Sequence, residues 1–490
     1  MTRPKAVIVG AGLGGCMLAN ALLATHDVTI VERGTATIDP RFPVVDVGLP
    51  ARTEPHFGAG LGGSTQLWHN GLIEIDESVF DSQWPIAKSE LDRYYEQAFQ
   101  LLSGVPQKTV RAAIVALRGK YSALGLPGDG LPGLFYPRWP MNVWDSLKLD
   151  GRVELVRGDV IDFQVTEGGA IAALTVEADG RTVQVGGDVF VLSAGGLGSP
   201  VLLQKLAARL NLAALAHAGF HYEDHPMGFV GEVELTVPLY QLWNFHVPGT
   251  GGNLRLPLVV TQNGMQVSFQ LRPAAAFHRN SRRERVSSGL HQLRQQPWNP
   301  INYVKLLAQW DDVLDILSFK MGIHLPTKRY TLLMMAQMPP SEQRAIWSEV
   351  DASTGKERRL RRWVFTDAYQ QDLHAAVAAV LERLGPVLKS ARVFPEWLGG
   401  LATGAHHSGT ARMSNSPASG VCDSDCRVHG VPNLYVCDGS VIPASGVANT
   451  GLTISALALR LAQHLWHRAG GTKPPASDLS HAALHGNELI

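Results

Sequence analysis

Ala6-Val7-Ile8-Val9 is an unbroken apolar run, the pattern of a short strand covered on both faces. A glycine-rich hexapeptide, GAGLGG, follows at residues 10–15. The next stretch, CMLANALLAT, is rich in helix formers and spaces Leu18, Ala21 and Leu22 along one face. Val28-Thr29-Ile30-Val31 reads as a second buried strand, ending at Glu32. Much later, residues 265–271 (MQVSFQL) alternate strictly, as a half-buried antiparallel strand does. A further apolar run, Tyr330 to Ala336, precedes Pro339 and Pro340. Residues 367–385 predict an amphipathic helix that begins near Asp367 and stops at Gly385.

The chain has 490 residues, which predicts two domains or one large domain with an inserted lobe. Charged residues are 18% and hydrophobic ones 45%, a balance that suits a well-buried enzyme and argues against disorder. Basic and acidic residues number 43 each, so no overall field draws nucleic acid or an anionic membrane. The most helix-like apolar stretch, ALALRLAQHLW, is broken by Arg460, so no membrane span is expected. The start, MTRPKAVIVGAG, runs directly into the first strand and leaves no room for a signal peptide, which points to a cytoplasmic location. Four cysteines do not make a disulfide framework in a chain this long. Cys422 and Cys426 lack a second ligand pair nearby, so no metal is expected. Two basic runs, Arg279 with Arg282, Arg283 and Arg285, and Lys356 to Arg362, read as solvated loops rather than as sites for an anionic substrate or an acidic partner. Residues 285–325, with Trp298 and Trp310, are a candidate lid.

Strand, glycine turn, helix, strand and acid together suit a dinucleotide. Gly10 permits the tight turn, Gly12 lets the backbone approach a pyrophosphate, and Gly15 allows helix and strand to pack closely. The helix N-terminus offers free N–H groups and a partial positive charge. Glu32 stands where a carboxylate accepts from ribose hydroxyls, and its charge disfavours a 2′-phosphate. This motif alone does not separate NAD from FAD. The same six letters recur at residues 58–63 in a different setting. Pro55 and Glu54 spoil a buried strand before them, and STQLWHNGLIEI after them has no helical apolar face. The second copy is either an ordinary mobile loop or one where backbone lies close to a flat or anionic ligand.

The chain resembles the glucose–methanol–choline (GMC) oxidoreductases, a family of FAD enzymes. The resemblance rests on VIVGAGLGG with Glu32, GAGLGGSTQLWHNG, WPIAKSELDRYYEQAF, VFVLSAGGLGSPVLL, EDHPMG from Glu223, and AHHSGTARMS with NLYVCDGSVIPASGVANTGLTISALALRLA in the tail. These stretches flank residues 233–400 without covering them. The implied fold is α/β with two domains: a Rossmann-like FAD-binding domain, and a substrate domain built on an antiparallel sheet covered by helices. The first would be discontinuous, over 1–75, 145–232 and 401–470. The second would take 76–144 and 233–400, with 471–490 as a tail.

By this resemblance the first hexapeptide holds the FAD pyrophosphate and the second lies against the flavin end of the same cofactor. Val160 would meet the adenine through its backbone, and Asp438 and Gly439 would lie by the pyrophosphate and ribityl chain. The implied cofactor-binding set also includes Leu13, Gly14, Arg33, Gly62, Gly63, Ser64, Asn70, Gly71, Ala194, Asn449 and Thr450. The family spacing H-x-x-G-T selects His406 over His407, and the late stretch GVANTGLTIS offers Asn449 where the family carries His or Asn.

Alcohol oxidation needs such a pair. The hydroxyl proton leaves to a base, and imidazole with a reference pKa of about 6.5 can take it. The hydride needs a flavin, since no side chain accepts one. An amide donates a hydrogen bond to the substrate oxygen but is no base. The expected activity is oxidation of a sugar, polyol or secondary alcohol to a carbonyl, with dioxygen or another acceptor taking the electrons; the alternative is a flavin-bearing lyase of the hydroxynitrile-lyase kind. Trp68 and His69 are candidate substrate contacts; His407 faces the substrate or simply packs. Some family members attach FAD through a histidine four residues after the paired glycines. Here that position is Leu67, which cannot form the bond, so FAD is expected to be noncovalent.

Overall fold

The computed structural model describes residues 3–34, 44–47, 58–138, 141–239, 242–273, 289–308, 310, 313, 328–355 and 357–471. The basic run at 279–285, most of the candidate lid, Lys356 and nearly all of the tail lie outside them.

Strand Lys5–Val9 is the middle of a five-stranded parallel sheet. Asp27–Glu32 and Val189–Leu192 flank it, with Glu154–Arg157 and Leu434–Val436 at the edges. Ala6, Val7 and Ile8 are fully buried, as a strand covered on both faces must be. Helix Leu13–Leu22 makes the first crossover and packs on the C-terminal helix Gly451–Arg468. A strand and helix from the last sixty residues therefore complete a layer that the first thirty begin.

The second layer is a six-stranded antiparallel sheet. Its order is Leu258–Gln262, Met265–Pro273, Arg329–Ala336, Pro226–Leu235 and Leu388–Val393, with Ala402–Thr403 also pairing with Pro226–Leu235. Helix Asp367–Leu384, capped by the Thr366 hydroxyl on Tyr369 N, covers it, and Arg383 Nη1 donates to Val259 O at 2.6 Å. Val267 and Phe269 face the core as their alternation predicts. Ser268 and Gln270 on the other face are buried too, so this strand is covered on both sides. Gln266, on that polar face, reaches the tail: its Oε1 lies 2.6 Å from where a Cβ on Gly446 would stand. No helix among the described residues is long and apolar enough to cross a membrane.

One expectation is corrected here. The basic run ending at Arg362 is not a solvated loop. Glu357–Arg362 is a strand, paired antiparallel with Ala345–Val350 and parallel with Val44–Val47. Strand alternation drives Arg361 inward, where it is fully buried and makes a two-pronged pair with Asp46, Nε–Oδ1 2.6 Å and Nη2–Oδ2 2.8 Å. Arg358, pointing outward, pairs with Glu349 and Asp351.

Candidate active site

Gly10 turns the chain at φ +106°, a left-handed value that disfavours any side chain. A Cβ on Gly14 would lie 1.9 Å from the Cys437 carbonyl oxygen, and one on Gly15 2.1 Å from Gly10 O. Both glycines are therefore needed for the helix to close on the sheet. Gly12 is different: a Cβ there would have only Ser193 O near it, at 3.9 Å. The backbone at Gly12 is bare on its outer side, at the N-terminus of a helix, as a cradle for an anionic group requires.

Glu32 closes the turn from below. Its Oε2 accepts from Ala11 N at 2.7 Å and its Oε1 from Gly34 N at 2.6 Å. Burial raises its pKa, and the amides of Ala11 and Gly34 offset only part of that rise. The residue that sequence places at a ribose thus also braces the glycine loop, and a carboxylate keeps lone pairs for both tasks. Arg33 follows it, and Val160 sits buried at the start of strand Asp159–Val165.

The two hexapeptides touch each other. Gly62 N donates to Ala11 O at 2.8 Å, and a Cβ on Gly63 would stand 2.9 Å from Gly12 Cα. Gly62 has φ +90° and faces Asn142 Oδ1 at 2.1 Å from its would-be Cβ, so no side chain is tolerated there. Gly63 opens a short 3-10 turn, Gly63–Gln66, with Ser64 exposed within it. A second helix N-terminus arrives at the same place. Gly451, first residue of the last helix, has Leu13 Cδ2 and Trp68 Cζ3 at 3.4 and 2.7 Å from its would-be Cβ. Thr450 is the buried residue before it. Asp438 uses both oxygens within the protein, Oδ2 accepting from Gly195 N at 2.9 Å and from Ser199 Oγ, Oδ1 from Ser440 N at 2.8 Å and from Ser440 Oγ. Ala194 N bonds Ser199 Oγ at 3.1 Å.

Asn70 has φ +50°, and its Nδ2 donates to Leu102 O at 3.0 Å while its buried Oδ1 has no partner. Next to it, a Cβ on Gly71 would lie 3.2 Å from Asn449 Nδ2. Two converging helix N-termini, a backbone bare at Gly12 and an unpaired amide oxygen are what a dinucleotide with an aromatic head would satisfy. The residues present fit such a group.

His406 and His407 are seated on this cradle. The His407 carbonyl oxygen lies 2.5 Å from the would-be Cβ of Gly196 and also of Gly439, so only glycines let this segment approach. The two rings then part. His407 Nδ1 bonds the Tyr222 hydroxyl at 2.8 Å. His406 Nδ1 lies 2.8 Å from His225 Nδ1. His225, fully buried, has its Nε2 at 2.9 Å from Gly446 O and 3.1 Å from Ser445 Oγ, in the loop that carries Asn449. The structure thereby links His406 to the Asn449 loop through a third residue. Trp68 donates from Nε1 to Met141 O at 2.8 Å, whereas His69 is exposed in irregular chain.

Asp224 organises both histidines. Its Oδ1 accepts from His225 N at 2.7 Å and His406 N at 3.0 Å. Its Oδ2 accepts from Thr403 Oγ1 and from the Tyr222 hydroxyl at 3.1 Å, with Arg361 Nη1 at 3.9 Å. Burial pushes its carboxyl up, but His407, Thr403 and Arg361 outweigh that and bring it down to about 2. Glu223 beside it is pushed up to about 8 by burial, against the opposing pull of Ser445 and Arg344. Burial lowers His406, with Asp224 opposing, and lowers His225 to about 3. Asp224, His225, Tyr222 and Arg361 received no role from sequence. The legible sign was the polar run His221 to His225 set directly before an apolar strand.

A family model described as GMC oxidoreductase matches residues 371–458. Paromamine 6'-oxidase from Streptomyces fradiae is 48% identical over a stretch covering 13% of this chain, and the match spans about an eighth (12%) of that relative's length. The 2-methyl-1,2-propanediol dehydrogenase of Mycolicibacterium austroafricanum is 24% identical across 94% of this chain and 95% of its own. Among solved structures, an FAD-dependent oxidoreductase from Chaetomium thermophilum superposes with TM-score 0.61 at 14% identity, covering 96% of this chain and 100% of that one.

Proposed function

We propose that the chain is a GMC oxidoreductase, on the family-model match at residues 371–458 and the full-length relative, and that it oxidises an alcohol to a carbonyl with FAD as cofactor, His406 taking the hydroxyl proton and Asn449 orienting the oxygen. Bound FAD would supply the hydride acceptor that no side chain can provide. The glycine turn at Gly10 to Gly15, braced by Glu32, would hold the pyrophosphate, and the Gly58 to Gly63 loop would carry the flavin end. Leu67 offers no nucleophile, so the cofactor is held without a covalent bond.

His406 does the proton chemistry because desolvation keeps its ring neutral at working pH, which leaves a lone pair for the alcohol proton. Asp224 limits that shift and anchors the backbone N–H groups of His225 and His406. Asn449 presents amide hydrogens that stabilise charge developing on the alcohol oxygen. The names of the relatives, for paromamine and for a propanediol, support an alcohol-type donor such as a sugar, polyol or secondary alcohol.

The observation that carries this reading is the seating of His406 and His407 on the cradle between Gly196 and Gly439. The test is anaerobic mixing of purified FAD-loaded protein with a panel of sugars, polyols and secondary alcohols. At least one should bleach the flavin. Flavin that stays yellow with every alcohol while the protein cleaves a cyanohydrin would put the lyase in its place.

A further inference from the structure

We infer that His225 is a positioning residue that fixes the tautomer of His406, so that the proton-accepting lone pair of His406 stands on Nε2. This rests on the proposed role of His406 as the base.

One carbonyl sets the tautomer. Gly446 O can only accept, and His225 Nε2 lies 2.9 Å from it, so that nitrogen carries a hydrogen. The second neighbour of Nε2, Ser445 Oγ at 3.1 Å, directs its own hydrogen to Glu223 Oε2 at 3.2 Å and presents a lone pair. Both neighbours therefore demand a donor. His225 has no exposed surface, and full burial disfavours the doubly protonated ring. With its one hydrogen on Nε2, His225 has a bare Nδ1. His406 Nδ1 approaches that atom at 2.8 Å with the two rings edge to face, centroids 5.0 Å apart and planes at 70°. Two bare nitrogens at that distance would repel, so His406 carries its hydrogen on Nδ1. A neutral imidazole has only one, and which nitrogen bears it is set by the bond the other makes. The remaining nitrogen of His406, Nε2, is left as the acceptor, and no hydrogen bond engages it among the described residues. Both backbones are pinned by the same Asp224 oxygen, so the two rings keep this register.

The step served is a plain transfer: the alcohol O–H bond breaks, an Nε2–H bond forms, and His406 becomes a cation. Its Nδ1–H bond to His225 shortens the search for geometry without moving a second proton.

The test reads the tautomer directly. Holoenzyme with nitrogen-15 histidine is examined by long-range proton–nitrogen correlation, and the His406 ring is assigned by its loss in His406→Asn. Wild type should show His406 with Nδ1 protonated and Nε2 bare. His225→Leu, which removes the acceptor, should show a mixture of tautomers, with FAD retained and flavin reduction slowed roughly tenfold or more. His225→Asn keeps an oxygen where Nδ1 stood and should restore the wild-type pattern. A wild-type ring protonated on Nε2 overturns the inference even if no variant folds, and so does an unchanged pattern in His225→Leu. Because the spectrum needs no turnover, a protein that shows this tautomer yet oxidises no alcohol would refute the proposed function and leave the positioning of His406 intact.

Discussion

An alanine at position 12 adds a single methyl group to a place the fold leaves bare. Gly12 has φ −80° and ψ −168°, extended values that any residue adopts. Its Cβ would find one neighbour, Ser193 O, at 3.9 Å. The apoprotein should therefore lose nothing and gain up to about 1 kcal/mol from the stiffer unfolded chain. The same methyl stands over the amides that would receive the pyrophosphate. Losing one charge-assisted hydrogen bond costs about 1.5–3 kcal/mol, which weakens FAD binding roughly ten- to hundredfold. Gly14→Ala makes the opposite pattern. Its Cβ would be driven to 1.9 Å from the Cys437 carbonyl, so helix and sheet must part and stability falls by about 1–3 kcal/mol or more. Denaturant unfolding of the two apoproteins, with a fluorescence titration of FAD, separates the cases. The reasoning fails if Gly12→Ala is destabilised like Gly14→Ala, or binds FAD as tightly as wild type.

Acid precipitation should leave all flavin in the supernatant, because Leu67 gives it nothing to bond; yellow pellet protein would contradict this. Two buried groups should make opposed contributions to the apoprotein's stability as pH changes. Below about 6.5 the unfolded chain takes a proton that His225 refuses until about 3, so stability falls with falling pH. Above about 4.3 the unfolded chain loses a proton that Glu223 keeps until about 8, so stability falls with rising pH. His225→Asn should make the acid-side slope shallower and Glu223→Gln the alkaline one in unfolding curves taken across pH; slopes unchanged in both would refute the burial argument. Arg361→Met should destabilise the fold by about 3–5 kcal/mol in denaturant unfolding, since it strands Asp46 and Asp224; a change under about 1 kcal/mol would show those carboxylates reach water.

The nucleotide half was legible because its signal is local. Apolar runs at 6–9 and 28–31 gave the strands, and the glycine spacing between them is a short local pattern, even though the atoms that crowd Gly10 and Gly14, Ser193 O and Cys437 O, come from far along the chain. That the second hexapeptide touches the first could not be read, because the contact of Gly62 with Ala11 spans about fifty residues and depends on how a loop folds back. Arg361 shows the same limit. Six charged residues broken only by Leu360 look solvated until a distant Asp46 is brought beneath Arg361. Likewise Asp224 and His225 stood in plain view, but their partners Thr403, His406 and Gly446 come from some 180–220 residues later in the chain.

The central claim is that His406 takes the alcohol proton beside a bound flavin. It is tested most directly by single-turnover flavin reduction under anaerobic conditions, comparing wild type with His406→Asn at equal FAD occupancy and saturating alcohol. The account predicts that the variant keeps its FAD and reduces it about 10²–10⁴-fold more slowly. A variant that holds FAD and is reduced at the wild-type rate would contradict it.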